Sequence, residues 1–73
     1  MWKLIGKTSM DMEDKLVGIE VYYNDIEKRF FVKLHAYNTV LKLSGNYHTI
    51  QRKIGELLEM LEYARDLIKD NKP

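Results

Sequence analysis

Residues 41–57 read Leu-Lys-Leu-Ser-Gly-Asn-Tyr-His-Thr-Ile-Gln-Arg-Lys-Ile-Gly-Glu-Leu, and the spacing of apolar residues changes inside this stretch. Up to Ser44 apolar and polar residues alternate, which is the period of a half-buried strand. Beyond Asn46 they recur every three or four residues, which is the period of a helix. Ser44-Gly45-Asn46 is the junction, and the rest of the chain can be read outward from it in both directions.

Downstream, Ile50, Ile54, Leu57, Leu61, Ala64 and Ile68 follow one another at spacings of 4, 3, 4, 3 and 4. Leu, Glu, Arg, Lys, Met and Ala dominate from Arg52 to Lys69, and all of them favour helix. Glu56, Glu59, Glu62 and Asp66 stand near Arg52, Lys53, Arg65 and Lys69, several at helical neighbour spacings. Asn46 or Thr49 is the candidate N-cap, and Asn71-Lys72-Pro73 closes the chain. The pattern predicts a helix from about Tyr47 to Asp70, roughly 36 Å long at about 1.5 Å per residue. Strands of six or seven residues span only about 20–23 Å. The helix should overhang its sheet.

Upstream, strand one is expected over Trp2 to Thr8, with Trp2 and Leu4 on one face and Lys3, Ile5 and Lys7 on the other. A short acidic loop, Asp11-Met12-Glu13-Asp14, leads to strand two at Leu16 to Tyr23. Asn24-Asp25 starts a turn, because both side chains tolerate left-handed or locally hydrogen-bonded backbone. Strand three, Lys28 to Ala36, places Phe30, Val32, Leu34 and Ala36 on one side and Arg29, Phe31, Lys33 and His35, with Tyr37 following, on the other. Leu41 and Leu43 then break the even parity, and a strand cannot change faces without a turn or a bulge. Tyr37-Asn38-Thr39 is the place for it, which favours a fourth strand at Val40 to Leu43 over one long bulged strand. The fold class is α+β: an antiparallel meander of three to four strands over residues 1–44, then a helix within 45–71, packed on one face. The 73 residues are expected to form a single domain.

Composition narrows the function. The absence of cysteine removes thiol nucleophiles, zinc–thiolate sites and a disulfide framework. No apolar run nears the 18 or so residues that span a bilayer, and no signal-peptide pattern opens the chain, so a cytoplasmic protein without a membrane partner is expected. Phosphate-binding glycine loops and His-Glu-x-x-His are missing. His35 and His48 fall on different elements, so no metal, cofactor, small-molecule substrate or catalytic residue is expected. The acidic loop lacks the ligand spacing and glycine of a calcium loop.

One face carries chemistry. Arg29, Phe31, Lys33, His35 and Tyr37 are joined there by Lys3 and Lys7, Tyr22 and Lys42. Five cations against Glu20 give a face near +4 on a chain whose formal net charge is +1. Cations neutralise phosphates and interleaved aromatics stack bases, the combination used by sheets that bind single-stranded nucleic acid. Strand propensity and edge protection also enrich strands in aromatics and lysines, and a protein partner or second subunit can cover such a face. The element order, a strand meander followed by a long helix, is similar to that of Whirly-type and positive-cofactor-type single-stranded-DNA-binding proteins; the resemblance is one of architecture.

The leading expectation is therefore a non-enzymatic, dimeric module that binds single-stranded nucleic acid. The alternative is a small protein-binding adaptor or inhibitor, of the kind viruses and mobile elements encode, acting through the sheet or the helix. The helix stripe supports the dimer. Met60 and Leu67 lie beside the Leu57, Leu61, Ala64 and Ile68 seam, leaving more apolar surface than one sheet face covers. For 8.7 kDa, area scaling predicts a folded surface of roughly 4,700 Å², about 63% of the chain's surface being buried.

Overall fold

The computed structural model describes residues 1–12 and 15–72, with the backbone alone at positions 10–12, 15 and 16. Four antiparallel strands, β1 (Trp2–Met12), β2 (Lys15–Asn24), β3 (Arg29–Ala36) and β4 (Thr39–Gly45), form one sheet in the order β1-β2-β3-β4. One helix, α1 (Tyr47–Asp70), follows and packs on one face. The architecture is the α+β meander-plus-helix expected from the periodicity.

Each junction has a local cause. Tyr37 and Asn38 have φ of 50° and 69°, the left-handed pair that a two-residue I′-type hairpin needs. This turn, and not a bulge, resets the apolar parity between β3 and β4. Between β2 and β3, the buried Asn24 carboxamide oxygen accepts from the backbone N–H groups of Ile26 (3.0 Å) and Glu27 (3.1 Å). Its amide nitrogen donates to the Glu27 carboxylate at 3.1 Å. Gly45 sits at φ +156°, and a Cβ there would lie 2.9 Å from Thr49 Cγ2. Only glycine fits this corner. Asn46 then caps α1, its side chain accepting from the Thr49 N–H at 2.9 Å. At the far end the Asn71 side chain donates to the Leu67 carbonyl.

β2, β3 and β4 differ from the expected bounds by one or two residues, and β1 departs from the expectation in two larger ways. β1 runs on through Asp11 and Met12, which the acidic composition had assigned to a loop; Glu13 and Asp14 lie outside the described residues. The β2–β3 ladder stops at the Gly18–His35 pair, so β1 and β2 continue beyond it as a two-stranded ribbon. Backbone pairing within that ribbon holds the polar residues in strand conformation. Second, the β1–β2 register shifts between Leu4 and Gly6, leaving Ile5 as the extra residue of a bulge.

The core is small. Val32 and Ile50 are its buried hydrophobic residues among those described. Ile50 and Ile54 face Ile19, Val21, Phe30 and Val32 across an apolar cleft of about 220 Å³. Tyr47 meets Phe30 edge-on, with ring centroids 6.5 Å apart. Lys53 donates to the Ser44 carbonyl at 2.7 Å, tying the second helical turn to the end of β4. α1 touches β3 and β4, and its residues from Leu58 onward are exposed. Twenty-four helical residues span roughly 36 Å against about 24 Å for the seven of β4. The helix thus outruns β3 and β4, the strands it touches, whereas β1, with 11 residues, is about as long as the helix; the molecule measures 52 × 29 × 15 Å. Its surface is 6317 Å², well above the roughly 4,700 Å² of a compact chain of this mass.

Candidate nucleic-acid interface

The sheet face away from α1 is organised in rows, because residues opposite one another in an antiparallel ladder share a face. One row is cationic: Lys7, Glu20, Lys33 and Lys42 stand side by side across β1 to β4. The next row is Leu4, Tyr22, Phe31 and Ser44. Trp2 completes the second row from the strand end. Its ring meets Phe31 edge-on at 6.1 Å, and Tyr22 lies 6.0 Å from Phe31 on the other side. Trp2, Tyr22, Phe31, Lys33 and Lys42 together line an open recess of about 350 Å³.

The electrostatics of the rows are uneven. Glu20 is engaged twice: the Tyr22 hydroxyl donates to Oε1 at 2.8 Å, and Lys7 Nζ lies 3.9 Å from Oε2. The hydrogen bond to Glu20, with a smaller contribution from desolvation and from the carboxylate's charge, holds the Tyr22 phenol above its ordinary pKa. Among the described residues, Lys33 and Lys42 have no carboxylate within 4 Å, although they sit directly opposite each other. Like charges in that position destabilise a sheet. An anion laid between them removes the repulsion.

The structure gathers most of the sequence-derived residues on this face. Lys7, Tyr22, Arg29, Phe31, Lys33, His35 and Lys42 lie there together. Two do not join them. Lys3 pairs with Tyr23 and therefore lies on the helix side, because the Ile5 bulge inverts every position upstream of it. Tyr37 belongs to the β3–β4 turn, its left-handed φ taking it out of the strand's alternation. The described charge of the face is four cations less one carboxylate, +3 rather than the expected +4. Plain alternation had put Trp2 on the opposite face, so it was missed as a site residue. The available signal was Gly6: an isolated glycine inside a strand pattern marks a bulge.

Elsewhere, His48 stacks edge-on with Tyr47 on α1, away from His35. Among the described residues no three His, Asp or Glu side chains gather as a metal site. No helix among them is long and apolar enough to cross a membrane. Of the sequence-derived dimer residues, Leu57 is half-buried near the sheet, whereas Met60, Leu61, Ala64, Leu67 and Ile68 are exposed on the overhang.

Fold and site define a class: a small meander-plus-helix domain with one helix-covered face and one open aromatic and cationic face. Comparison with protein-family models, with curated proteins and with solved structures found no match.

Proposed function

We propose that the chain is a non-enzymatic module that binds single-stranded nucleic acid on the open sheet face. One observation carries the reading: the Trp2–Phe31–Tyr22 aromatic cluster adjoins an opposed lysine pair that makes no ion pair within 4 Å among the described residues. Unstacked bases find π-faces on the first, and the backbone phosphates find cations on the second. Lys33 and Lys42 contact phosphate and Arg29 extends the cationic track, while Lys7 is engaged with Glu20; Trp2, Phe31 and Tyr22 stack. Duplex nucleic acid does not fit this scheme, since its bases are already stacked on one another. The proposal includes a cytoplasmic location.

Anisotropy titration of a labelled oligonucleotide tests it. Phe31→Ala should weaken binding about 5- to 150-fold, the effect of losing about 1–3 kcal/mol of base stacking. Absence of binding at low salt, or unchanged affinity in Phe31→Ala, overturns the proposal. The other reading, a protein-binding adaptor or inhibitor, draws on the exposed apolar residues of α1. It requires recovery of one stoichiometric protein partner and no affinity for oligonucleotides.

A further inference from the structure

The second half of α1 is built as a core helix and has no core beneath it. Its apolar stripe continues without interruption from Ile50 and Ile54, which sit on the sheet, through Leu57 to Leu61, Ala64 and Ile68. Leu61 is 60% exposed and Ile68 74%. The sheet has the matching deficit. α1 covers β3 and β4, while Ile19 and Val21 on the same face of β2 are only half-buried and border the cleft beside Ile50 and Ile54. A free half-helix and a half-covered sheet face thus occur in one chain.

We infer that a second copy of this chain fills both. In the proposed two-fold dimer, α1 crosses from its own sheet onto the partner's, and the two helices run antiparallel beside each other. The spacing of the stripe supports this arrangement, because it reads the same in both directions. About a two-fold axis at Glu59, Ile50 stands level with Ile68, Ile54 with Ala64, and Leu57 with Leu61. Every apolar level in one helix therefore stands beside an apolar level in the other, both turned toward the sheets, the self-complementarity that an isologous interface demands. The flanking residues agree. Leu58 and Met60, 55% and 63% exposed, lie on opposite flanks of the stripe next to the axis, so whichever flank turns to the neighbouring helix presents an apolar side chain there.

A two-stranded coiled coil formed by the free halves alone explains less. It leaves the β2 cleft uncovered, and it puts apolar Leu58, Met60 and Leu67 where such coils carry charges. Area supports the shared arrangement too. The chain exposes roughly 1,600 Å² more than a compact chain of 8.7 kDa. Removing that excess from two copies buries roughly 3,200 Å², within the range of about 2,000–5,000 Å² for obligate dimers. The open faces are untouched, so this inference stands or falls separately from nucleic-acid binding.

Sedimentation equilibrium at tens of micromolar should give twice 8.7 kDa for the native chain and 8.7 kDa for Leu61→Glu/Ala64→Glu. Both substituted positions are solvent-exposed in a lone chain, so a monomer has no reason to unfold, and circular dichroism checks that it has not. The absence of cysteine allows the orientation to be read with single-cysteine variants and a short bis-maleimide. Glu59→Cys should link to itself. Asp70→Cys should link to His48→Cys in a mixture but not to itself, because two copies of residue 70 lie roughly 33 Å apart in the antiparallel pair. A native mass of 8.7 kDa, an unaltered mass in the double variant, or self-linking of Asp70→Cys overturns the proposal.

Discussion

The open face should reveal itself in the salt dependence of binding. Each phosphate neutralised on a single strand contributes about −0.7 to the slope of log K against log salt. Lys7 is held 3.9 Å from Glu20, leaving Arg29, Lys33 and Lys42 as cations without a carboxylate among the described residues. Three contacts predict a slope of about −2.1, so affinity should fall about 18-fold between 50 and 200 mM salt. Lys42→Gln removes one contact. Its slope should be about −1.4, a fall of about 7-fold over the same range. Lys69→Gln, on the helix, should leave the slope as it is in the native chain. Anisotropy with a short labelled oligonucleotide at four salt concentrations measures all three slopes. A native slope near zero, or equal slopes for the native chain and Lys42→Gln, refutes the placement of phosphates on this row.

Three further outcomes follow from the geometry. The Tyr22 phenol should titrate above 10.0, with the neutral form favoured in the folded state. The stability it contributes is then present below the unfolded value and lost as pH rises through the folded one. Glu20→Gln, followed by the tyrosinate absorbance near 295 nm, should bring its titration back toward the ordinary value. Gly45→Ala should destabilise the chain by about 1–3 kcal/mol in urea unfolding, since the new Cβ meets Thr49 in a backbone region that side chains rarely adopt. Asn24→Ala should cost a similar amount, about 1–3 kcal/mol, because it strips the acceptor from two N–H groups at a buried turn.

Most of the fold was legible because its signals are local. The change of period at Ser44-Gly45-Asn46 marks the sheet–helix boundary, and the helix ends where the stripe does. The parity break between Ala36 and Leu41 required a reversal, and Tyr37-Asn38 supplies it. The overhang followed from two rises per residue and two element lengths. The illegible parts depend on pairing. Asp11 and Met12 look like loop, and only their ladder partners on β2 make them strand. The exchange of Lys3 for Trp2 on the open face rests on one unpaired residue, Ile5, which alternation counts like any other.

That residue has a genetic consequence. Because Ile5 is surplus to the ladder, removing a single codon from among residues 3 to 5 yields a regular strand in which Trp2 still pairs with Asn24 and faces Phe31. The first strand can therefore lose one amino acid without losing its aromatic anchor, whereas a loss between Lys7 and Ser9 shifts the whole N-terminal segment across the sheet. Lineages descended from this gene should shorten upstream of Gly6 rather than between Lys7 and Ser9. An alignment of such descendants should carry its gap there, with the tryptophan retained on either side of the event.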